Sequence, residues 1–405
     1  MGPENVVNAI NTLFTRARFS DGTMNDIAVA GGRIVAISLA GSHVPNAAAT
    51  VDLGGALVVP GFVEGHIHLD TSFYGDSWRP HRPYTNGFNV RERVAFQADN
   101  MAHAAPMDVR ARKQLELCIG HGTTQMRSHV MVDGSVGLRS LQTILAVREE
   151  YRDRIDIQLV AFPQSGILQS PGTPELMDEA IAMGADVVGG LDPAGFDRDV
   201  EKHLDVVFGI AERRGVDVDI HLHDVGTLGI FEIEQIAART SALSMGGHVT
   251  ISHAYALGDV APDIVQRTAD LLARSGVAIM TNAPGARPFP PVRLLRQAGV
   301  TVFGGSDNIR DSWWPYGDGD MLGRAMMIGY RSGFNTDEDL AVAFDMVTST
   351  GATALRLEGY GLAVGAKADF VTLDAEHIAK AVVDVPGART VYKNGRCVAQ
   401  AGKMV

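Results

Sequence analysis

Five residues of this sequence could together hold a metal ion and move a proton: His66, His68, His221, His253 and Asp307. His66 and His68 are two apart in GFVEGHIHL, so on a strand both side chains point to one face and could share one cation. The pair alone could equally be two histidines hydrogen-bonded at a strand end. The other three close the segments VDVDIHLHD, HVTISHA and VTVFGGSD. A divalent cation held by neutral imidazoles and a carboxylate is the ordinary outcome of such a cluster. No lysine ends the segment ADVVGGLD to bridge two ions; Asp192 stands there, so one ion is expected. That ion leaves room for a water whose pKa it lowers toward about 7, which makes hydrolysis the expected chemistry.

Hydrolysis needs groups that take the water's proton and deliver it to a leaving group. The candidates beside the ion are His253, His223, Asp224 and Asp307. His223 shares a face with His221, so it could instead orient another side chain. Asp224 faces the other way on an ideal strand, and its role stays open. His129 and Gln164 close two further strand segments; each could touch substrate or be satisfied inside the protein. Trp313 and Trp314, in SDNIRDSWWPYGDGDM, offer rings that could stack on a planar substrate or pack a lid. His43, His103, His121, His203, His248 and His377 fall in loops or helices away from strand ends and read as surface or packing residues.

These residues can meet only if the elements carrying them converge. Eight strand segments stand between about residues 61 and 307: GFVEGHIHL, TTQMRSHV, IDIQLVAFP, ADVVGGLD, VDVDIHLHD, HVTISHA, VAIMTNA and VTVFGGSD. Amphipathic helical stretches separate them, and each ends on polar residues. The architecture expected is a (β/α)8 TIM barrel of the α/β class, whose C-terminal strand ends all open on one face. An open doubly wound sheet would not gather all eight ends. The gap from His68 to His129 is nearly twice the others, and its aromatic, Pro-rich excess TSFYGDSWRPHRPYTNGFNVRER reads as a lid. Both chain ends read as short strands with Gly-Gly and Asn394-Gly395 hairpin signals. Residues 1–60 and 360–405 are therefore expected to build one small β-sandwich, and 61–359 the barrel.

Composition narrows the partners. With 405 residues and a formal net charge of −12, the chain lacks the clustered cations that bind phosphate backbones, so nucleic acid is not expected. Two cysteines, Cys118 and Cys397, make no disulfide framework and suit a reducing compartment. The first residues show no signal-peptide blocks, Val6 stands where a myristoylation motif wants Ser or Thr, and no apolar run reaches the roughly 20 residues a bilayer span needs. A cytoplasmic protein with no membrane partner is the expectation.

The segments VVPGFVEGHIHLD, VAFPQSGI, HLHDVG, ISHA and GSDNIRDSWWPYGDGDM resemble the cytosine deaminase branch of the amidohydrolase superfamily, over essentially the whole chain. Within that branch the HxHD and SDNIRDxW patterns, and the DP after the fourth strand, are most similar to those of hydrolases that remove an alkylamine from a hydroxylated s-triazine. The resemblance implies one divalent ion, Zn2+ or in some cytosine deaminases iron, on His66, His68, His221 and Asp307. It implies proton transfer by His253, ring binding by Gln164, a pocket completed by Asp192, His223, Asn308 and Trp313, and a homo-oligomer. Four positions depart from the pattern. Asp224 and Asn308 replace the Glu and second Asp of cytosine deaminases, Thr71 replaces the lysine of the triazine enzymes, and Met131 stands where both place Asp. The activity expected is cleavage of an exocyclic amino or alkylamino C–N bond of a pyrimidine- or triazine-like heterocycle by a metal-activated hydroxide. The rivals are a metal-dependent amidase for a cyclic or acyclic amide and, more remotely, an inactive scaffold; retained or opened ring products, or none, separate them.

Overall fold

The computed structural model describes residues 10–42, 46–85, 87 and 89–405. The start of the first expected strand, the targeting segment with Val6, and His43 lie outside the described residues. Five strands come first: β1 (Ile10–Arg18), β2 (Met24–Ala30), β3 (Arg33–Leu39), β4 (Ala47–Asp52) and β5 (Leu57–Pro60). The eight expected barrel strands then follow as β6 (Phe62–Ile67), β7 (Thr123–Met131), β8 (Asp156–Phe162), β9 (Val187–Leu191), β10 (Asp217–Leu222), β11 (Val249–His253), β12 (Val277–Thr281) and β13 (Val302–Gly304). Four more end the chain: β14 (Phe370–Leu373), β15 (Arg389–Lys393), β16 (Arg396–Gln400) and β17 (Lys403–Met404).

Strands β6 to β13 pair in sequence order, all parallel. Nearly every residue in them is buried, as expected when helices cover one face and the barrel interior fills the other. The ring is completed between its first and last strands by a parallel bridge, Ile67 to Asp307, with the Asp307 N–H donating to the His66 carbonyl at 2.6 Å. Closure there depends on Gly305: a Cβ at that position would lie 2.7 Å from His66 Cβ, and no side chain fits. Seam and metal-ligand candidates thus occupy the same few residues.

The terminal strands form one separate sheet in the order β17-β16-β15-β14-β5-β1-β2-β3, with β4 also paired to β1. In a flat sheet β15 and β1, three steps apart, would be separated by about 14 Å. Yet the rings of Phe14 on β1 and Tyr392 on β15 stand 4.9 Å apart, and Phe14 meets Phe370 edge-on at 5.0 Å. The sheet therefore curls over a core of its own, which includes Phe14, Ile27, Ile34, Val58 and Phe370.

The excess after His68, expected as a lid, is of mixed form in its described residues. Its first part is irregular, but its last residues, expected as loop, begin the helix Val90–Met101, where the Asn89 side chain accepts from the Glu92 N–H. Among the described residues no helix is long and apolar enough to cross a membrane.

Candidate active site

At the C-terminal mouth of the barrel, donor atoms of His66, His68 and His221 lie within 4.8 Å of one another, and so do those of His66, His253 and Asp307. Asp307 Oδ1 stands 3.5 Å from His66 Nε2 and 3.4 Å from His68 Nε2. All five side chains are buried. Among the described residues, the ring atoms His66 Nε2, His221 Nδ1 and Nε2, and both nitrogens of His253 have no hydrogen-bond partner. Buried polar atoms without partners cost about 1–3 kcal/mol each, so this concentration marks a site built for something else to bind. Imidazole nitrogens and one carboxylate oxygen are the donor set of a divalent ion such as zinc.

The surroundings fix these donors. His66 Nδ1 meets Ser252 Oγ at 2.9 Å, Ser252 donates to Asp219 Oδ1 at 2.6 Å, and Arg127 donates to Asp219 Oδ2 at 3.1 Å. With the Ser252 proton committed to Asp219, His66 Nδ1 carries the hydrogen, which leaves the Nε2 lone pair for a metal. Asp307 Oδ2 accepts from Asn282 at 2.8 Å, so Oδ1 is the free oxygen facing the histidines. Burial pushes the Asp307 carboxyl up, but His253, His66 and His68 outweigh it and hold the group well below the usual carboxylate range. Burial keeps the His221 and His253 rings neutral by driving their pKa well down, as metal ligation or base action requires. Backbone strain aims several of these groups: Asp192, His253 and Asp307 sit in the left-handed region at φ of 36°, 74° and 60°, each at the end of a barrel strand.

His68, Thr71, Gln164, His221, His223, His253, Asp307, Asn308 and Trp313 share one small pocket with about 20 Å3 of free space. Through His223, Asp307, Asn308 and Trp313 it joins a wider cavity of about 710 Å3. That cavity is walled by Tyr84, Tyr255, Trp314 and the helix Met321–Arg331.

Three expected site residues lie elsewhere. His129 stacks beneath the His66 ring at 3.8 Å, fully buried, and does not line the pocket. Asp192 does not line it either: its carboxylate accepts from His223 N at 2.6 Å and meets His223 Nδ1 at 2.9 Å. Burial opposes a charge on His223, but Asp192 overrides it and raises the imidazole pKa. Asp224 turns away from the metal donors and accepts from the Gly195 N–H at 2.7 Å. Asp224 thus faces away as strand alternation has it, whereas the direction of Asp192 follows from its left-handed bend, about which alternation says nothing.

Sequence reasoning missed Phe162 and Gln97. The Phe162 ring stacks on His221 at 4.1 Å, and its place two residues before Gln164 could have signalled it. Gln97 reaches in from the helix Val90–Met101, accepts from Trp313 Nε1 at 2.7 Å and lines the pocket. Nothing local marks it, because it belongs to the lid.

Comparison with known proteins agrees with this geometry. The amidohydrolase family profile matches residues 49–399, a span that contains every metal-donor candidate. N-isopropylammelide isopropyl amidohydrolase of Pseudomonas sp. (strain ADP) is 35% identical over 380 residues, covering 92% of this chain and 93% of that protein. The crystal structure of N-isopropylammelide isopropylaminohydrolase from Burkholderia multivorans superposes with a TM-score of 0.92 at 41% identity, over 97% and 99% of the two chains. That of 5-methylcytosine deaminase from Klebsiella pneumoniae, liganded with phosphonocytosine, gives 0.84 at 30% identity over 96% and 98%. Likeness of this extent, with the buried donor cluster inside the matched span, shows that the chain belongs to the amidohydrolase family and is a metal-dependent hydrolase of carbon–nitrogen bonds.

Proposed function

We propose that this enzyme cleaves an exocyclic amino or alkylamino C–N bond of a pyrimidine- or triazine-like ring, using one divalent ion, zinc by preference, held by His66, His68, His221 and Asp307. The observation that carries the reading is the convergence of unpartnered, buried imidazole nitrogens on the one free oxygen of Asp307. The relatives' names supply the substrate class: an alkylammelide for two, a methylated cytosine for the third. A divalent ion in such a site supplies Lewis acidity and brings the pKa of water toward about 7.

The chain's own residues do the rest. Gln164, Thr71, Asn308 and Trp313 line the pocket beside the donors and would contact a planar ring entering from the wider cavity, with Phe162 behind His221 as an apolar wall. His253, neutral and without a partner at either nitrogen among the described residues, takes the proton that water gives up and, with Asp307, relays it toward His223, whose ring lies 4.7 Å from its own. Asp192 holds His223 Nδ1, so His223 Nε2 is the atom that can protonate the departing amine. The lid, through the Gln97–Trp313 hydrogen bond, closes the pocket against bulk water. A cytoplasmic homo-oligomer completes the proposal; the exposed, unpaired Cys397 suits a reducing compartment.

Amine release from cytosine, isocytosine, creatinine, ammelide and N-alkyl ammelides, with metal quantified in the same preparation, tests the reading. Turnover of one compound with its ring retained is expected, abolished by chelation. His253→Ala should lower kcat by about 10²- to 10⁴-fold while the bound metal stays. Ring-opened products would overturn the reading in favour of an amidase. Metal-loaded protein silent on every compound would sink it.

A further inference from the structure

Behind the pocket, two carboxyl groups face each other with no role in the chemistry above. Glu232 lies on the helix Gly226–Ala242 and its side chain is fully buried. Its Oε1 accepts from the Ala194 N–H at 2.7 Å, and Asp224 Oδ2 accepts from the next N–H, that of Gly195, at 2.7 Å. Among the described residues Glu232 Oε2 meets no donor; its polar neighbour is the Asp224 carboxyl. Two carboxyl groups can hydrogen-bond only with a proton between them. The fit leaves no slack: a Cβ on Gly195 would come within 2.2 Å of Asp224 Oδ1, and one on Gly229 within 2.2 Å of Asp224 O.

The turn held by this pair starts at Asp192, whose left-handed backbone at φ 36° persists only where its surroundings enforce it. Asp192 in turn grips His223 through both the backbone N–H and Nδ1. His223 lies along His253, with ring centroids 4.7 Å apart, and lines both the small pocket and the wide cavity. A chain of contacts therefore runs from Glu232 to a group at the substrate.

We propose that Glu232 is a positioning residue of the active site: as a neutral acid it donates to Asp224, and the pair clamps the turn at 193–195 so that Asp192 keeps His223 aimed into the pocket. This rests on the reading that His223 acts on substrate. The proton belongs on Glu232, since burial first and then the negative charge of Asp224 push its carboxyl up to about 9. Burial and the Asp192 charge also raise the Asp224 carboxyl, but Asp224 is the less enclosed of the two and keeps the Gly195 N–H.

The test uses the metal-loaded enzyme and two variants. In Glu232→Gln the amide NH2 can donate to Asp224 and its oxygen can accept from Ala194, so kcat should stay within about threefold of the parent. Glu232→Leu keeps the size but loses both bonds. It should lower kcat by about 10- to 100-fold, the usual scale for residues that orient functional groups, with KM and bound metal nearly unchanged. Equal loss in both variants, or none in Glu232→Leu, would overturn the proposal. Infrared difference spectra of parent against Glu232→Gln give a readout independent of turnover and of the folding of Glu232→Leu. A carboxylic-acid C=O band at pH 7 that the Gln variant lacks is expected; its absence rules out the neutral acid, whatever the enzyme's substrate proves to be.

Discussion

At the scale of single residues, the metal donors are only as good as the groups that hold them. His66 presents Nε2 because Ser252 and Asp219 occupy its other side. Ser252→Ala removes that acceptor and should weaken metal affinity by about 10- to 100-fold, read by competition with a chromogenic chelator. The fold should survive, since the hydroxyl is the only group lost; unchanged affinity would show that packing against His129 alone orients the ring. The ligand candidates were legible in the sequence because a spacing of two on a strand and a common position at strand ends are geometric statements. His129, Asp192 and Asp224 were less legible. A strand end names the residue near the mouth but does not say whether its side chain meets substrate or a neighbour, and each of these three found a neighbour.

At the scale of elements, the eight barrel strands follow from apolar runs ending in polar residues, and the structure has all eight within a few residues of the expected places. The lid helix was not legible, because its apolar residues follow no clean helical period and its face is set by the mouth it covers. One junction makes a testable claim. Asp320 caps the helix Met321–Arg331, which walls the wide cavity, and forms a buried two-pronged pair with Arg389 of β15 at 2.7 Å. Burial would raise the Asp320 carboxyl, but the His121 and Arg389 hydrogen bonds outweigh it and hold it at about 2. A carboxyl depressed in the folded state adds stability above its unfolded value, near 3.8, and that stability is lost as pH falls toward about 2. The shift corresponds to about 2 kcal/mol. Asp320→Asn should therefore be less stable than the parent at pH 7, by about 3–5 kcal/mol with Arg389 left unpaired. The gap in denaturation midpoints should narrow between pH 4 and pH 2; a constant gap would assign the effect to packing.

At the scale of the whole molecule, the two ends of the barrel have different duties. The C-terminal strand ends carry the donors, while the N-terminal ends of β7 and β8 meet the sheet made by the chain termini. The joint is Lys393, the last residue of β15, completely buried and far from any pocket described above. Its Nζ donates to Asp369 at 2.6 Å and to Asp156 at 2.8 Å, and to the Thr124 carbonyl at 3.2 Å. Asp156 begins β8 and Thr124 is the second residue of β7, so one ammonium ties the terminal sheet to the floor of the barrel. Lys393→Met keeps the aliphatic length but leaves Asp369 buried with, among the described residues, Gln125 and the Asn394 N–H as its remaining partners. A loss of about 3–5 kcal/mol is expected, because an uncompensated buried charge costs more than the pair itself contributes. If sheet and barrel are one cooperative unit, denaturation of the variant remains a single transition at a lower midpoint, and kcat per folded molecule is unchanged. Two separated transitions would show instead that Lys393 is what couples them. A fall in kcat without loss of stability would mean that the floor of the barrel reaches the chemistry at its mouth.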